Sequence, residues 1–177
     1  HGINDTEVSV ITLHFTWDAT ISDKVKRAIR SAAKDADHSI AYVHWGSEYE
    51  PMSNETQRHL ARRLIDLGVD AVVGHHPHVV QEIEAYKGGI IFYSLGNFIF
   101  DQYWNDAVQN GLAVALTYTK EGYTYRLIPV TSIDKRSAPR IMNNEESERF
   151  LRSLAQKSDR QLRSQITRKT IVHGNVQ

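Results

Sequence analysis

Cysteine is absent from the 177 residues. That excludes disulfides, thiolate catalysis and cysteine-type zinc sites, and it leaves the redox compartment open. Net charge is absent too, because 21 Lys+Arg balance 21 Asp+Glu. No whole-molecule field therefore draws nucleic acid or an anionic membrane; no nucleic-acid partner is expected, and any anion binding must be local. No apolar run reaches the length of a membrane span, and the opening His-Gly-Ile-Asn-Asp has neither the basic nor the apolar region of a signal peptide. The sequence also has no GxGxxG, GxxxxGK[ST], GxSxG or HExxH and no basic-aromatic stripe. Hydride transfer, P-loop chemistry and serine hydrolysis drop out. Internal repeats, low-complexity tracts and domain linkers are missing as well.

What is present suits a single domain over residues 1–177, long enough to bury roughly two thirds of its extended surface without a staple. Glu7 to Phe15 alternates β-branched and polar residues and reads as a strand, followed by a loop over Trp17 to Thr20. From Thr20, paired with Asp23 as a capping box, Val25, Ala28, Ile29, Ala32 and Ala33 mark one face of a helix. Ser39 to Val43 reads as a short strand. Pro51 leads to a second helix capped by Ser53 or Asn54, with Leu60, Ala61, Leu64 and Ile65 as its buried face and Gly68 as its stop. Val69 to Val73 is then a fully apolar strand.

The fold class is therefore α/β of mixed α+β character, with a βαβαβ start that favours parallel strands and right-handed crossovers. Such an arrangement puts the loops His44 to Pro51 and Gly74 to His78 on one sheet edge, where open α/β sheets collect ligands. Beyond it, Val79 to Tyr86, Ile90 to Leu95, Leu112 to Thr119 and Tyr123 to Val130 read as antiparallel strands joined by Lys-Gly-Gly, a longer loop and Lys-Glu-Gly. A charged amphipathic helix over about 144–166 carries Phe150, Leu151, Leu154, Leu162 and Ile166.

The chemistry concentrates between His44 and Asp101. Gly74-His75-His76-Pro77-His78 sets three imidazoles within five residues after an apolar strand, and neutral imidazole is a common ligand of zinc, iron or manganese. Pro77 biases His76 toward an extended backbone, so either His76 with His78 or His75 with His78 could converge. His44-Trp45-Gly46-Ser47-Glu48-Tyr49 adds a fourth imidazole, and Glu48 suits a ligand, an orienting group or a general base. In Ser94-Leu95-Gly96-Asn97, followed by Phe98-Ile99-Phe100-Asp101, Asn97 suits a metal or a substrate oxygen, or an Asx turn. Trp45, Tyr49 and Asp101 flank these groups and are the expected substrate contacts. His1, His14, His38, His59 and His173 belong to no cluster and are expected to face solvent.

HWGSEYEP, then a helix with Gln57, then DLGVDAVVGHHPHVVQEIEAYKGGIIFYSLGNFIFDQ closely resembles the bacterial capsule synthesis protein CapA (PgsA) family over residues 44–102. The resemblance implies poly-γ-glutamate or capsule polymer synthesis or export at the cell surface. It implies an extracytoplasmic protein anchored through a segment not in this chain. Its partners would be that anionic polymer and other capsule synthase subunits. The family looks like a branch of the calcineurin-type metallophosphoesterases, so a divalent metal (Mn, Zn, Fe or Mg) is implied. His44, His76 and His78 are then metal ligands with His75 as the alternative, Glu48 and Asn97 the catalytic pair. His76 and His78 fit the family's closing His-x-His best, with one residue inserted. The superfamily's early Asp-x-His, Gly-Asp-x-x-Asp and Gly-Asn-His-Asp/Glu motifs occur nowhere in the chain. It accordingly resembles the C-terminal half of a metallophosphoesterase-like sandwich. Alone it is expected to be catalytically weak or inert, and to pair as a homodimer or with the N-terminal half through an open sheet edge.

Overall fold

The computed structural model describes residues 21–119, 122–134 and 137–173. The strand expected over Glu7 to Phe15 and the loop to Thr20 lie outside the described residues. Helix α1 (Asp23–Asp35) takes Ser22 as its N-cap, the hydroxyl accepting from the Val25 amide, with Asp23 in the first turn and Lys34 in the last. Both charges complement the helix dipole. The cap thus lies at Ser22, two residues later than the expected Thr20.

Strand β1 (Ile40–His44) leads to α2 (Glu55–Asp66). Between the two candidate caps, Asn54 is the one used: it accepts from the Gln57 amide while Gln57 reaches back to the Asn54 amide. This reciprocal capping satisfies two otherwise orphaned donors. Leu60, Ala61, Leu64 and Ile65 are buried as expected, and Gly68 at φ +103° turns the chain out of the helix. Strand β2 (Ala71–His75) pairs parallel to β1 with His44 opposite His75.

Strands β3 (Ile83–Tyr86) and β4 (Gly89–Phe92) form the expected antiparallel hairpin. Lys87 and Gly88 both have positive φ, 45° and 82°, the two-residue turn that matches strand twist. β4 also pairs parallel to β2, so the first sheet is mixed, in the order β1-β2-β4-β3. The second sheet holds β5 (Asn110–Thr119), β6 (Gly122–Thr131), β7 (Arg140–Ile141) and β8 (Thr170–His173), with β5 and β6 antiparallel over their whole length. β7, β8 and the short helix α3 (Asp106–Gln109) carry too few residues to show a period.

Alternate residues of the first sheet enter two cores. Val43, Val72 and Ile91 pack against Ile29, Leu60 and Leu64 of the helices. Ala71, Ile90 and Phe92 face Leu112, Tyr125 and Leu127 of the second sheet, together with Leu151 and Leu154 of α4 (Asn144–Lys157) and Ile166 of α5 (Arg163–Thr167). The single C-terminal helix expected over 144–166 is therefore broken. Ser158 turns extended, its hydroxyl donates back to the Leu154 carbonyl and accepts from the Ile83 amide, and Asp159 bonds Ile83 and Ala85. The break lets this segment cover the outer edge of β3, which would otherwise present unpaired backbone groups.

Candidate metal centre

The two parallel strands end side by side, and the loops that leave them are bonded to each other. The Trp45 amide donates to the His75 carbonyl at 3.1 Å, and the Tyr49 amide to the Pro77 carbonyl at 2.7 Å. Gly74 makes room for this crossing: a Cβ there would stand 2.1 Å from the Tyr93 carbonyl and 2.3 Å from the Trp45 indole nitrogen. With only hydrogen at that position, the indole donates to the Tyr93 carbonyl at 2.8 Å. Trp45, expected at a substrate, is instead 8% exposed and forms the floor under the loops.

Three non-glycine residues of these loops hold left-handed backbone: Tyr49 at φ 66°, His76 at 95° and His78 at 61°. Each such conformation costs on the order of 1–3 kcal/mol and persists only where the surroundings over-determine it. The expected extended backbone at His76 is overridden by the bonds to the neighbouring loop.

The result is one convergent group. Glu48, His76 and His78 each offer a ligand atom, all within 4.8 Å of one another. His78 Nε2 lies 4.0 Å from Glu48 Oε1. On its other side, His78 Nδ1 is 2.8 Å from Asn97 Oδ1, while the Asn97 amide nitrogen donates to the Val108 carbonyl at 3.0 Å. That second bond fixes the amide orientation, so Asn97 Oδ1 accepts from His78 Nδ1–H and Nε2 is the ring nitrogen turned toward Glu48. Burial, with the neighbouring His44 next in weight, holds the His76 pKa below the ordinary histidine value and favours the neutral ligand form.

The remaining expected residues divide. His44 is exposed, with its ring 4.5 Å from that of His76 but outside the convergent group. His75 stacks on Tyr42 at 4.2 Å, its Nε2 is buried without a hydrogen-bond partner, and burial lowers its pKa. Tyr49 stacks 6.0 Å from His78 and accepts a hydrogen bond from Gln102. Asp101 is exposed and stands outside the group. Phe100, 4.7 Å from His78, and Trp104, edge-on to Tyr49 at 4.7 Å, line the same rim. Gln57 and Gln81, both buried under the loops, and Trp104 carry no sequence signal of a role at the site; only their placement reveals one. His38, expected in solvent, is instead stacked on Tyr123 at 3.8 Å with its side chain 10% exposed.

The donor set of two imidazoles and a carboxylate suits Zn, Mn or Fe better than the all-oxygen preference of Mg. The wider setting agrees, since residues 44–57, 69–86 and 88–119 contain no Lys or Arg. Those segments offer an anion no Lys or Arg, whereas the Glu48 carboxylate and the imidazole nitrogens are donors to a cation.

The sequence model described as bacterial capsule synthesis protein PGA_cap matches residues 4–102. The PGA biosynthesis protein CapA of Bacillus subtilis (strain 168) is 39% identical over 132 residues, 74% of this chain and 34% of that protein. The capsule biosynthesis protein CapA of Bacillus anthracis is 48% identical over 87 residues, 46% of this chain and 21% of that protein. A probable polyglutamine synthesis accessory protein of Mycobacterium tuberculosis (strain CDC 1551 / Oshkosh) is 33% identical over 81 residues, again 46% and 21%. The chain thus spans about a third or less of the curated relatives it matches. Because the match takes in more than half of the residues, including both histidine loops and the Asn97 turn, the chain belongs to the bacterial capsule synthesis protein PGA_cap family.

Proposed function

We propose that this chain supplies the histidine-bearing part of a divalent-metal site to a cell-envelope protein of poly-γ-glutamate or capsule polymer synthesis. The reaction would be metal-assisted hydrolysis or transfer at a phosphoryl or γ-glutamyl group. The observation that carries this reading is the convergence of Glu48, His76 and His78, their ligand atoms within 4.8 Å of one another, on loops whose own sequence contains no Lys or Arg. His76 and His78 hold the ion, with His44 close enough to join them. Glu48 completes the ligand set or takes a proton from the attacking group. Asn97 holds the His78 ring so that Nε2 faces inward. When bound, such an ion polarises the electrophile and lowers the pKa of a coordinated water. A two-metal site also needs ligands that these loops do not provide, so this chain alone turns over weakly or not at all.

The test uses the full-length protein. It should carry a stoichiometric divalent metal, and His76→Ala together with His78→Ala should remove it and lower activity at least roughly tenfold. Metal-free protein whose activity survives both substitutions would end the hydrolase reading.

A second reading is a polymer-binding module without turnover within a synthase assembly. Its support is the word accessory in the name of the mycobacterial relative. The lack of Lys and Arg in the site loops weighs against direct polyanion capture. This reading predicts binding of poly-γ-glutamate that does not depend on added metal.

A further inference from the structure

Glu48 reaches the histidines from the exposed apex of its loop. The Glu48 side chain is 48% exposed, and Tyr49 beside it is 37% exposed. What fixes the loop lies underneath. Gln81 is 1% exposed and donates through one amide nitrogen to both the Glu50 carbonyl, at 2.9 Å, and the Met52 carbonyl, at 3.0 Å. Its amide oxygen accepts from Gln57 Nε2 at 2.9 Å, and Gln57 is itself 2% exposed. The Gln57 oxygen accepts in turn from the Asn54 amide at 3.0 Å. On the near side of the loop, Gly46 at φ +83° lies directly on the Gln57 amide, where a Cβ would come within 2.7 Å of it.

The Glu48 loop is therefore pinned at Gly46 on one flank and at Glu50 and Met52 on the other, with Glu48 and Tyr49 at the apex between. One end of the pin, Gln81, follows His78 by three residues on the histidine loop; the other, Gln57, belongs to α2. Buried amides of this kind are costly unless bonded, and here the bonds are directional. From this geometry we infer that Gln57 and Gln81 form a buried amide relay that sets the Glu48 loop against the His76-Pro77-His78 loop. They are positioning residues: neither touches the convergent group. The role as a positioning device for a metal rests on the function proposed above; the relay's hold on the loop does not.

The relay is tested by backbone amide exchange and by Zn2+ titration of the full-length protein. In Gln81→Leu, the Glu50 and Met52 carbonyls lose their donor. Exchange across residues 46–52, including the Tyr49 amide, should quicken roughly tenfold or more, while Val72 and Ile91 in the sheet stay unchanged. Zn2+ affinity should fall roughly tenfold. Gln57→Leu should do the same more weakly, and the double variant should add nothing to Gln81→Leu, because both act through one chain of bonds. Gly46→Ala presses on the same amide from the loop side and should move exchange in the same direction, covering the case in which a Gln81 variant fails to fold. Unchanged exchange over 46–52 would overturn the relay, and so would effects of the two single variants that simply multiply. Faster exchange with Zn2+ affinity intact would overturn the positioning role. If the wild-type protein binds no Zn2+ while the loop responds as stated, the metal reading falls and the relay stands.

Discussion

Residues 40–102 and residues 110–173 solve opposite problems. The first region ends its strands in loops without a basic residue and holds left-handed backbone at Tyr49, His76 and His78. The second contributes no described residue to the convergent group, and its helix α4 carries exposed pairs such as Arg152–Glu148. Yet the second region supports the first. Lys157 donates to the Pro51 and Val80 carbonyls, one from each site loop, and Ser158 and Asp159 seal β3. The family match stops at residue 102, while the groups that brace the site lie more than fifty positions beyond it. Strained, ligand-bearing loops are held by a segment whose sequence shows only an amphipathic helix.

The strongest way to break this comparison is to ask whether the two regions unfold separately. Leu154→Ala removes a side chain that is 2% exposed between α4 and the first sheet, and should cost about 2–5 kcal/mol in urea unfolding. All three tryptophans precede residue 105. Fluorescence therefore draws on no tryptophan of residues 110–173 and follows the site side through Trp45 and Trp104, while far-UV circular dichroism reports both regions. Coincident midpoints, shifted together, make the regions one cooperative unit. A fluorescence midpoint that stays in place would separate them.

Lys157→Met should have the next largest effect. Burial lowers the pKa of this amine, opposed by the nearby Glu82 carboxylate, so its position is sustained by the two carbonyls it bonds. Replacing it leaves both carbonyls unpaired and Glu82 without its counter-charge, at roughly 1–3 kcal/mol. The consequence that sharpens the comparison is local: amide exchange should quicken in both site loops before it does in α4. Equal protection of the loops in variant and wild type would deny α4 its bracing role.

The outline of the first region was legible because its signals are local and strong. An apolar run ending in Gly-His-His-Pro-His, a Ser53-Asn54 cap signal ahead of a helical apolar face, and Lys-Gly-Gly between two strands each dictate their own structure. Spacing alone leaves His76 and His75 open as the partner of His78, and only the family resemblance favours His76; Glu48, His76 and His78 are the three that lie together in the fold. The sequence hid what depends on contacts distant along the chain. Trp45 is a floor residue because Gly74 admits it, and the break at Ser158 exists because β3 has an edge to cover. Gln57 and Gln81 are ordinary polar residues until two loops close over them. His38 misled for the same reason, since Tyr123 and Tyr125 that bury it lie more than eighty positions away.

His38 also sits at the seam between the regions, joining the approach to β1 to β6. Burial depresses its pKa, opposed by Asp70, whose carboxylate is 3.6 Å from Nδ1; Tyr125 lies 3.5 Å from Nε2 and Tyr123 stacks on the ring. The folded state therefore prefers neutral His38, while the unfolded chain keeps the ordinary value of 6.5. Stability from this group is complete above that value and is lost as pH falls below it toward the lower folded value. Comparing His38→Phe with wild type isolates it from His75 and His76, which burial depresses in the same direction. The variant should show a flatter loss between neutral pH and mildly acidic pH. Identical slopes would remove the seam from the acid response.

The smallest expected effects still divide the two regions. Arg62 donates to Glu84 at 2.8 Å, and Glu84, 13% exposed, also accepts from the buried Tyr93 hydroxyl. Arg152 on α4 pairs with Glu148 one turn earlier, with both partners more than 60% exposed. Ion pairs in water contribute little because solvation and side-chain entropy offset the attraction. Arg62→Met should therefore cost on the order of 1 kcal/mol, reduced from a buried-pair value by the arginine's own exposure. Arg152→Ala should cost no more than about 0.5 kcal/mol. High salt should narrow the second loss and leave most of the first, because Glu84 loses a bond shielded from solvent whereas Glu148 regains water. If the two substitutions cost the same at low salt and fade together, the shielding argued for the first region is absent, and the contrast between a braced, polar site region and a solvated support would not extend to its charges.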